Sequence, residues 1–166
     1  IRLRQAGFTD LVIFEKSQGV GGTWNRNRYP GCACDVQSEL YSFSFEVNTQ
    51  WTRPYATQPE ILEYLRGVAD KYDLLPLVRF GTSVERARWD EASATWTLDL
   101  AGGATHEADV VVSALGMFND LTYPAIDGLD SFAGTVSHSA AWNWDHDLTG
   151  ERVAVIGSAA SAVQFV

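Results

Sequence analysis

Cysteine is nearly absent from this chain. Cys32 and Cys34 stand one residue apart, neither a C-x-x-C nor a span that suits a bridge, and no second pair exists to complete a zinc site. Both read as reduced loop thiols in a reducing compartment. Histidine is almost as scarce: His106, His138 and His146 share no metal-ligand spacing with cysteine or aspartate, and His106 and His146 read as surface residues. Basic residues are few, 12 Lys and Arg against 21 Asp and Glu, and the net charge of -9 argues against nucleic acid or an anionic membrane as the main partner. Such acidity suits a solvated, cytoplasmic protein. No apolar run approaches the roughly 20 residues of a membrane span. There is no internal repeat and no low-complexity linker, and no signal peptide or initiator Met opens the chain.

What is present is a core-former. Hydrophobic residues make up 46% and aromatics 12%, six of them Trp, which excludes a disordered polymer over these 166 residues. "IRLRQAG" reads as a helix tail ending at Gly7, and "VQFV" closes the chain a few residues into another helix. Both ends are expected to cut through structure, making this a piece of a longer protein. "LVIF", residues 11–14, is a short continuous apolar run expected as a buried parallel strand, with Glu15 at its end. "TQPEILEYLRGVADKYDL" predicts a helix: Thr57 as cap, Pro59 and Glu60 in the first turn, and Ile61, Leu62, Leu65, Val68 and Ala69 on one face.

"LVRF", "SVERARWD", "ATWTLDL" and, after the turn "AGGA", "THEA" fit short antiparallel strands. "DVVVSALG", residues 109–116, predicts a second buried parallel strand. "RVAVIG" predicts a third, followed by a glycine turn and a helix start. A β-α-β rhythm interrupted by a small meander points to an α/β nucleotide-binding protein.

The densest chemistry lies in "KSQGVGGTWNRNRYPGCACDV", residues 16–36. Gly19, Gly21 and Gly22 let backbone approach a ligand closely because no Cβ intervenes. Trp24 offers a flat apolar face, Arg28 a fixed fork of donors, and Tyr29-Pro30-Gly31 a rigid turn, with Asp35 at the end. Such a loop suits a long ligand with phosphate, ribose and a flat ring. Glu15, just before it, is either a plain strand-end carboxylate or an acceptor for ribose hydroxyls.

"GVGGTWNRNRYPGCACDV" resembles the FAD-binding loop of class B flavoprotein monooxygenases, especially the Baeyer–Villiger type, whose pattern is close to GGTW…RYPG…D. Four further matches follow in order. "YATQPEILEYL" resembles the family's Thr-Gln-Pro segment, and "VVVSALG" its strand returning to FAD. "FAGTVSHSAAWN" fits the fingerprint F-x-G-x-x-x-H-x-x-x-W at Phe132, Gly134, His138 and Trp142. "VAVIGSAASAVQ" resembles the opening of a second, NADP-binding Rossmann unit.

The resemblance spans essentially the whole chain. It implies an α/β, Rossmann-like, three-layer FAD-binding domain over residues 1–125 with a small antiparallel meander. A linker carrying the fingerprint follows over 126–150, and the start of an NADP-binding domain over 151–166. The family's first G-x-G-x-x-G is missing, as expected if it lies upstream of Ile1.

The resemblance also implies roles. FAD falls to Glu15, Gly19, Gly21, Gly22, Thr23, Trp24, Arg28, Tyr29, Asp35, Tyr41, Val84 and Gly116. NADPH falls to Thr57, Gln58, Gly157, Ser158, Ser161 and Gln164. Asp35 is the candidate catalytic carboxylate, orienting an arginine outside this chain; its alternative is a turn cap. Thr57 and Gln58 are alternatively helix-capping residues. His138 fits a hydrogen-bonding or conformational role during NADPH binding better than acid–base catalysis. The implied reaction is insertion of one oxygen atom from O2 into a ketone through a flavin C4a-peroxide, giving an ester or lactone. Two features depart from the family pattern: Asn143 follows the fingerprint Trp, and Ala159 replaces the second glycine of the NADP turn. The alternatives are oxygenation at nitrogen or sulfur, and a non-catalytic, cofactor-free fragment. A disulfide reductase is disfavoured because Cys32 and Cys34 have the wrong spacing.

Overall fold

The computed structural model describes residues 1–117 and 119–166. In chain order its regular elements are α1 (Arg2–Gln5), β1 (Ile13–Glu15), α2 (Thr23–Arg26), α3 (Gln58–Lys71), β2 (Val78–Phe80), β3 (Val84–Asp90), β4 (Thr95–Leu100), β5 (Thr105–Ala108) and α4 (Ala160–Gln164). The chain divides into two units, one from Ile1–Val20 and Arg66–Gly116, the other from Gly21–Leu65 and Met117–Val166, with the boundary falling within α3.

In the first unit, α1 ends before Gly7, whose φ of 95° is glycine's region. Arg4 donates to the carbonyls of Tyr72 and Asp73 at 2.8 and 2.9 Å, satisfying acceptors at a helix C-terminus. β1 and β2 pair in parallel, Ile13 opposite Val78 and Glu15 opposite Phe80. β3, β4 and β5 form an antiparallel meander with an irregularity between Val84 and Arg86. Alternation along β4 buries Leu98 and Leu100 on one face. Trp89 and Trp96 face each other across the strands with ring centroids 5.5 Å apart.

Helix α3 follows its sequence signals closely. The Thr57 carbonyl accepts from the Ile61 N–H at 3.1 Å, and Pro59 sits in the first turn, where a missing N–H costs nothing. Glu60 lies at the positive end. Ile61, Leu62, Val68 and Ala69 are all buried.

The second unit holds a core of Trp24, Tyr29, Cys32, Cys34, Ala56, Ile61 and Leu62, with Tyr41, Trp51, Leu65, Trp142 and Phe165 packed around it. Residues 32–34 run antiparallel to 56–58: Cys34 N donates to Ala56 O at 2.9 Å and Gln58 N to Cys32 O at 2.8 Å. The pleat turns both thiols inward, and both are free.

Several expectations are corrected. Residues 77–80 join a parallel pair, not an antiparallel one, because α3 intervenes in the chain between β1 and β2. Residues 109–116 form no strand, and Val110, Val112 and Leu115 are exposed. Residues 152–157 likewise form no strand, and Val153 and Ile156 are exposed. A parallel strand needs hydrogen-bonded neighbours, and neither segment finds one among the described residues. His106 is half-buried, edge-on to Phe14 at 5.2 Å, and His146 is half-buried against Glu151 at 3.0 Å. Among the described residues no helix is long and apolar enough to cross a membrane. No cluster of three or more His, Cys, Asp or Glu there could hold a metal ion.

Candidate functional site

The glycine loop opens at Gly21 and Gly22, which take φ of 117° and 49°. A Cβ on Gly21 would come 2.5 Å from Cδ1 of Leu62, so this glycine lets the loop lie against α3. Gly22 differs: a Cβ there would meet nothing within 4 Å, and its backbone faces open space at the start of α2. Thr23 beside it is exposed.

Trp24 turns inward instead. Its Nε1 donates to the Tyr41 hydroxyl at 2.9 Å, and the rings meet edge-on. Its carbonyl accepts from Gln58 Nε2. Arg28 is exposed and donates back to the carbonyl and side chain of Asn25 at 2.8 and 3.0 Å. Tyr29 is buried and donates to Gln164 Oε1 at 2.8 Å. Asp35 is exposed beyond the buried thiols. Burial pushes the Tyr29 and Tyr41 phenols up, and the Asp35 carboxylate adds to both shifts. Burial also pushes the Cys32 thiol up, so the more inert neutral form of that thiol is favoured.

The second unit thus brings together Trp24, Tyr29, Tyr41, Thr57, Gln58, Ser161 and Gln164 of the sequence-predicted residues. Thr57 bridges Ala33, and Ser161 lies beside the Tyr29 phenol. Glu15, Gly19, Val84 and Gly116 belong to the first unit. There, the Glu15 carboxylate accepts from Ser17 N at 2.8 Å, Val84 opens β3, and Gly116 has open space around it. Gly157 and Ser158 form the exposed turn before α4, with Ala159 as its cap.

The fingerprint residues have separate local jobs. The ring of Phe132 lies over Gly134, where a Cβ would come 2.5 Å from its Cε1. His138 Nδ1 accepts from Ala140 N at 3.1 Å, which caps the turn Ser139–Ala141, and its ring is edge-on to Tyr123. Trp142 packs on Phe165 at 5.3 Å. Sequence reasoning missed Ala33, whose backbone is held by the Gln164 amide, and Asn119, which accepts from Arg26 at 2.7 Å. No residue-type signal marks either, because one acts through its backbone and the other through a distant pairing.

A family model described as pyridine nucleotide-disulphide oxidoreductase matches residues 1–165. The chain belongs to this family. Within the pyridine nucleotide-disulphide oxidoreductases it is similar to a Baeyer-Villiger monooxygenase of Pseudomonas aeruginosa, 53% identical over the whole chain and 32% of that protein. It is also similar to the phenazine N-monooxygenase of Lysobacter antibioticus, 39% identical over 99% of the chain and 31% of that protein.

Among solved structures of similar proteins, a cyclohexanone monooxygenase variant from Rhodococcus sp. Phi1 bound to NADP+ gives a TM-score of 0.90 at 40% identity. It covers 99% of this chain and 32% of that one. OTEMO in complex with FAD and NADP gives 0.88 at 35% identity over 99% of this chain and 32% of that one. The fold is therefore the α/β, Rossmann-like one of these flavoproteins. The chain spans about a third of the length of the relatives it matches. The family's name covers disulfide reduction, yet the two thiols here are buried, one residue apart and unbridged.

Proposed function

We propose that this chain is part of an FAD- and NADPH-dependent monooxygenase that inserts one oxygen atom of O2 into a ketone, giving an ester or lactone. The observation that carries the reading is the loop of residues 21–35. It combines open backbone at Gly22, a core-locked Trp24–Tyr41 pair and an exposed Asp35, in a chain 53% identical to a Baeyer-Villiger monooxygenase. The open glycine backbone fits a dinucleotide's approach, so the residues present suit FAD. Glu15, Gly19, Gly21, Gly22, Thr23, Arg28, Val84 and Gly116 would hold it, with Trp24, Tyr29 and Tyr41 bracing the loop from the core. Thr57, Gln58, Gly157, Ser158, Ser161 and Gln164 would serve NADPH.

The flavin, when bound, supplies the oxygen activation. The chain's own part is orientation and charge. Asp35 is free of the core and sits on a rigidly hydrogen-bonded segment, suited to orienting a cationic side chain from the rest of the protein. His138, capping its turn through Nδ1, would hold the linker's conformation during NADPH binding rather than act as an acid–base catalyst. The proposed division is an FAD domain over residues 1–125, a linker over 126–150 and an NADP domain from 151, in a cytoplasmic enzyme.

The test uses the full-length protein with NADPH, O2 and a panel of ketones, sulfides and amines. Ester or lactone from a ketone is expected. Asp35→Ala should lower ester formation by about 10²-fold, as for a misplaced catalytic geometry. Sulfoxide or N-oxide with no ester would move the protein to heteroatom oxidation, a second reading favoured by its 39% identity to a phenazine N-monooxygenase. The exposed Val110, Val112 and Leu115 favour a further point: the isolated 166 residues bind FAD weakly or not at all. Stoichiometric flavin absorbance in the purified fragment would refute it.

A further inference from the structure

The pleat of residues 32–34 gives them two hydrogen-bonding edges. On one edge Cys32 O and Cys34 N pair with residues 56–58. The other edge presents the N–H and C=O of Ala33, and no backbone strand takes it. The Gln164 side chain does: Nε2 donates to Ala33 O at 2.9 Å, and Oε1 accepts from Ala33 N at 3.4 Å. Its amide acts as a one-residue strand. Oε1 also accepts from Tyr29 at 2.8 Å, and Ser161, three residues earlier on α4, lies beside the same phenol. The two backbones are also in contact, since a Cβ on Gly31 would overlap the Gln164 carbonyl oxygen. Two residues beyond Ala33 stands Asp35.

We propose that Gln164, with Tyr29, is a positioning residue that couples the Gly157–Ala159 turn to the segment carrying Asp35, so that nucleotide bound at the turn sets the carboxylate's position. This rests on the reading of that turn as the NADPH site. A neutral amide suits the role and a carboxylate does not, because Ala33 takes both a donor and an acceptor from this side chain. Glutamate keeps the volume but sets a carboxylate against the Ala33 carbonyl.

The test is hydrogen exchange of amides 31–36 in the full-length FAD-loaded enzyme, with and without NADP+, beside flavin reduction by NADPH. In the unsubstituted enzyme NADP+ should slow exchange there about tenfold. At NADP+ concentrations that saturate its binding, Gln164→Glu should abolish that response, lower the fraction of NADPH turned into oxygenated product several-fold and raise hydrogen peroxide. Tyr29→Phe, which keeps the ring contact with Phe165, should lose part of the response and decides the matter if Gln164→Glu does not fold.

Equal NADP+ protection in variant and unsubstituted enzyme overturns the coupling. So does an unsubstituted enzyme whose flavin NADPH reduces while residues 31–36 do not respond. If NADPH reduces no flavin at all, it is the functional reading above that has failed.

Discussion

At the scale of single residues, this chain uses its glycines for unlike purposes. Gly22 leaves backbone open, whereas Gly31 brings backbone against backbone. Gly31 has φ of 77° and no room for a Cβ. Gly31→Ala should therefore destabilise by at least the about 1–3 kcal/mol of a non-glycine residue held in that region, read as a lowered Tm in thermal denaturation. A substitution at Gly22 has strain but no clash, so its effect should fall more on FAD affinity than on Tm. Trp24 and Tyr29 carry a related lesson. Sequence alone suggests a flat apolar face at Trp24 and a rigid turn at Tyr29, and in the structure both rings are buried and their polar tips are spent on Tyr41 and Gln164.

At the scale of elements, α3 is the part whose sequence and structure agree best. Ile61 is fully buried in the core of the second unit. Ile61→Ala should cost about 2–5 kcal/mol, the range for a large-to-small change at a packed site, measured by chemical denaturation. α3 was legible because cap, first-turn proline and apolar face all lie within one local window. The meander was legible for the same reason, since turn chemistry and alternation are local. The apolar runs at 109–116 and 152–157 were not, because a strand's existence depends on a ladder partner that the run itself cannot specify. In the loop of residues 21–35, the left-handed backbone at Gly21, Gly22 and Gly31 and the exposure of Asp35 were readable from residue type. The clamp on Ala33 was not, because it joins residues 131 apart through backbone atoms.

At the scale of the whole molecule, pH acts through the buried acids of the second unit. Burial raises the Cys32 thiol and the Tyr29 and Tyr41 phenols, so folding favours their neutral forms. Their contribution to stability is complete below the unfolded values, about 8.5 for a thiol and 10 for a phenol. It is lost as pH rises through the higher folded values. Tm of the full-length protein should fall on the alkaline side above about pH 8.5, and Tyr41→Phe should flatten part of that fall; an unchanged slope would remove Tyr41 from the account. The first unit carries its own optical label. Trp89 and Trp96 hold their indoles 5.5 Å apart and inclined at 53° across the meander. Transition dipoles so close and so skewed couple, and circular dichroism will show a pair of bands of opposite sign. Trp142 and Trp144 of the other unit, 6.5 Å apart, couple as well, so the part of the signal lost in Trp89→Phe is the meander's own. Absorbed light can therefore time the loss of one unit while the other is followed through its own chromophores.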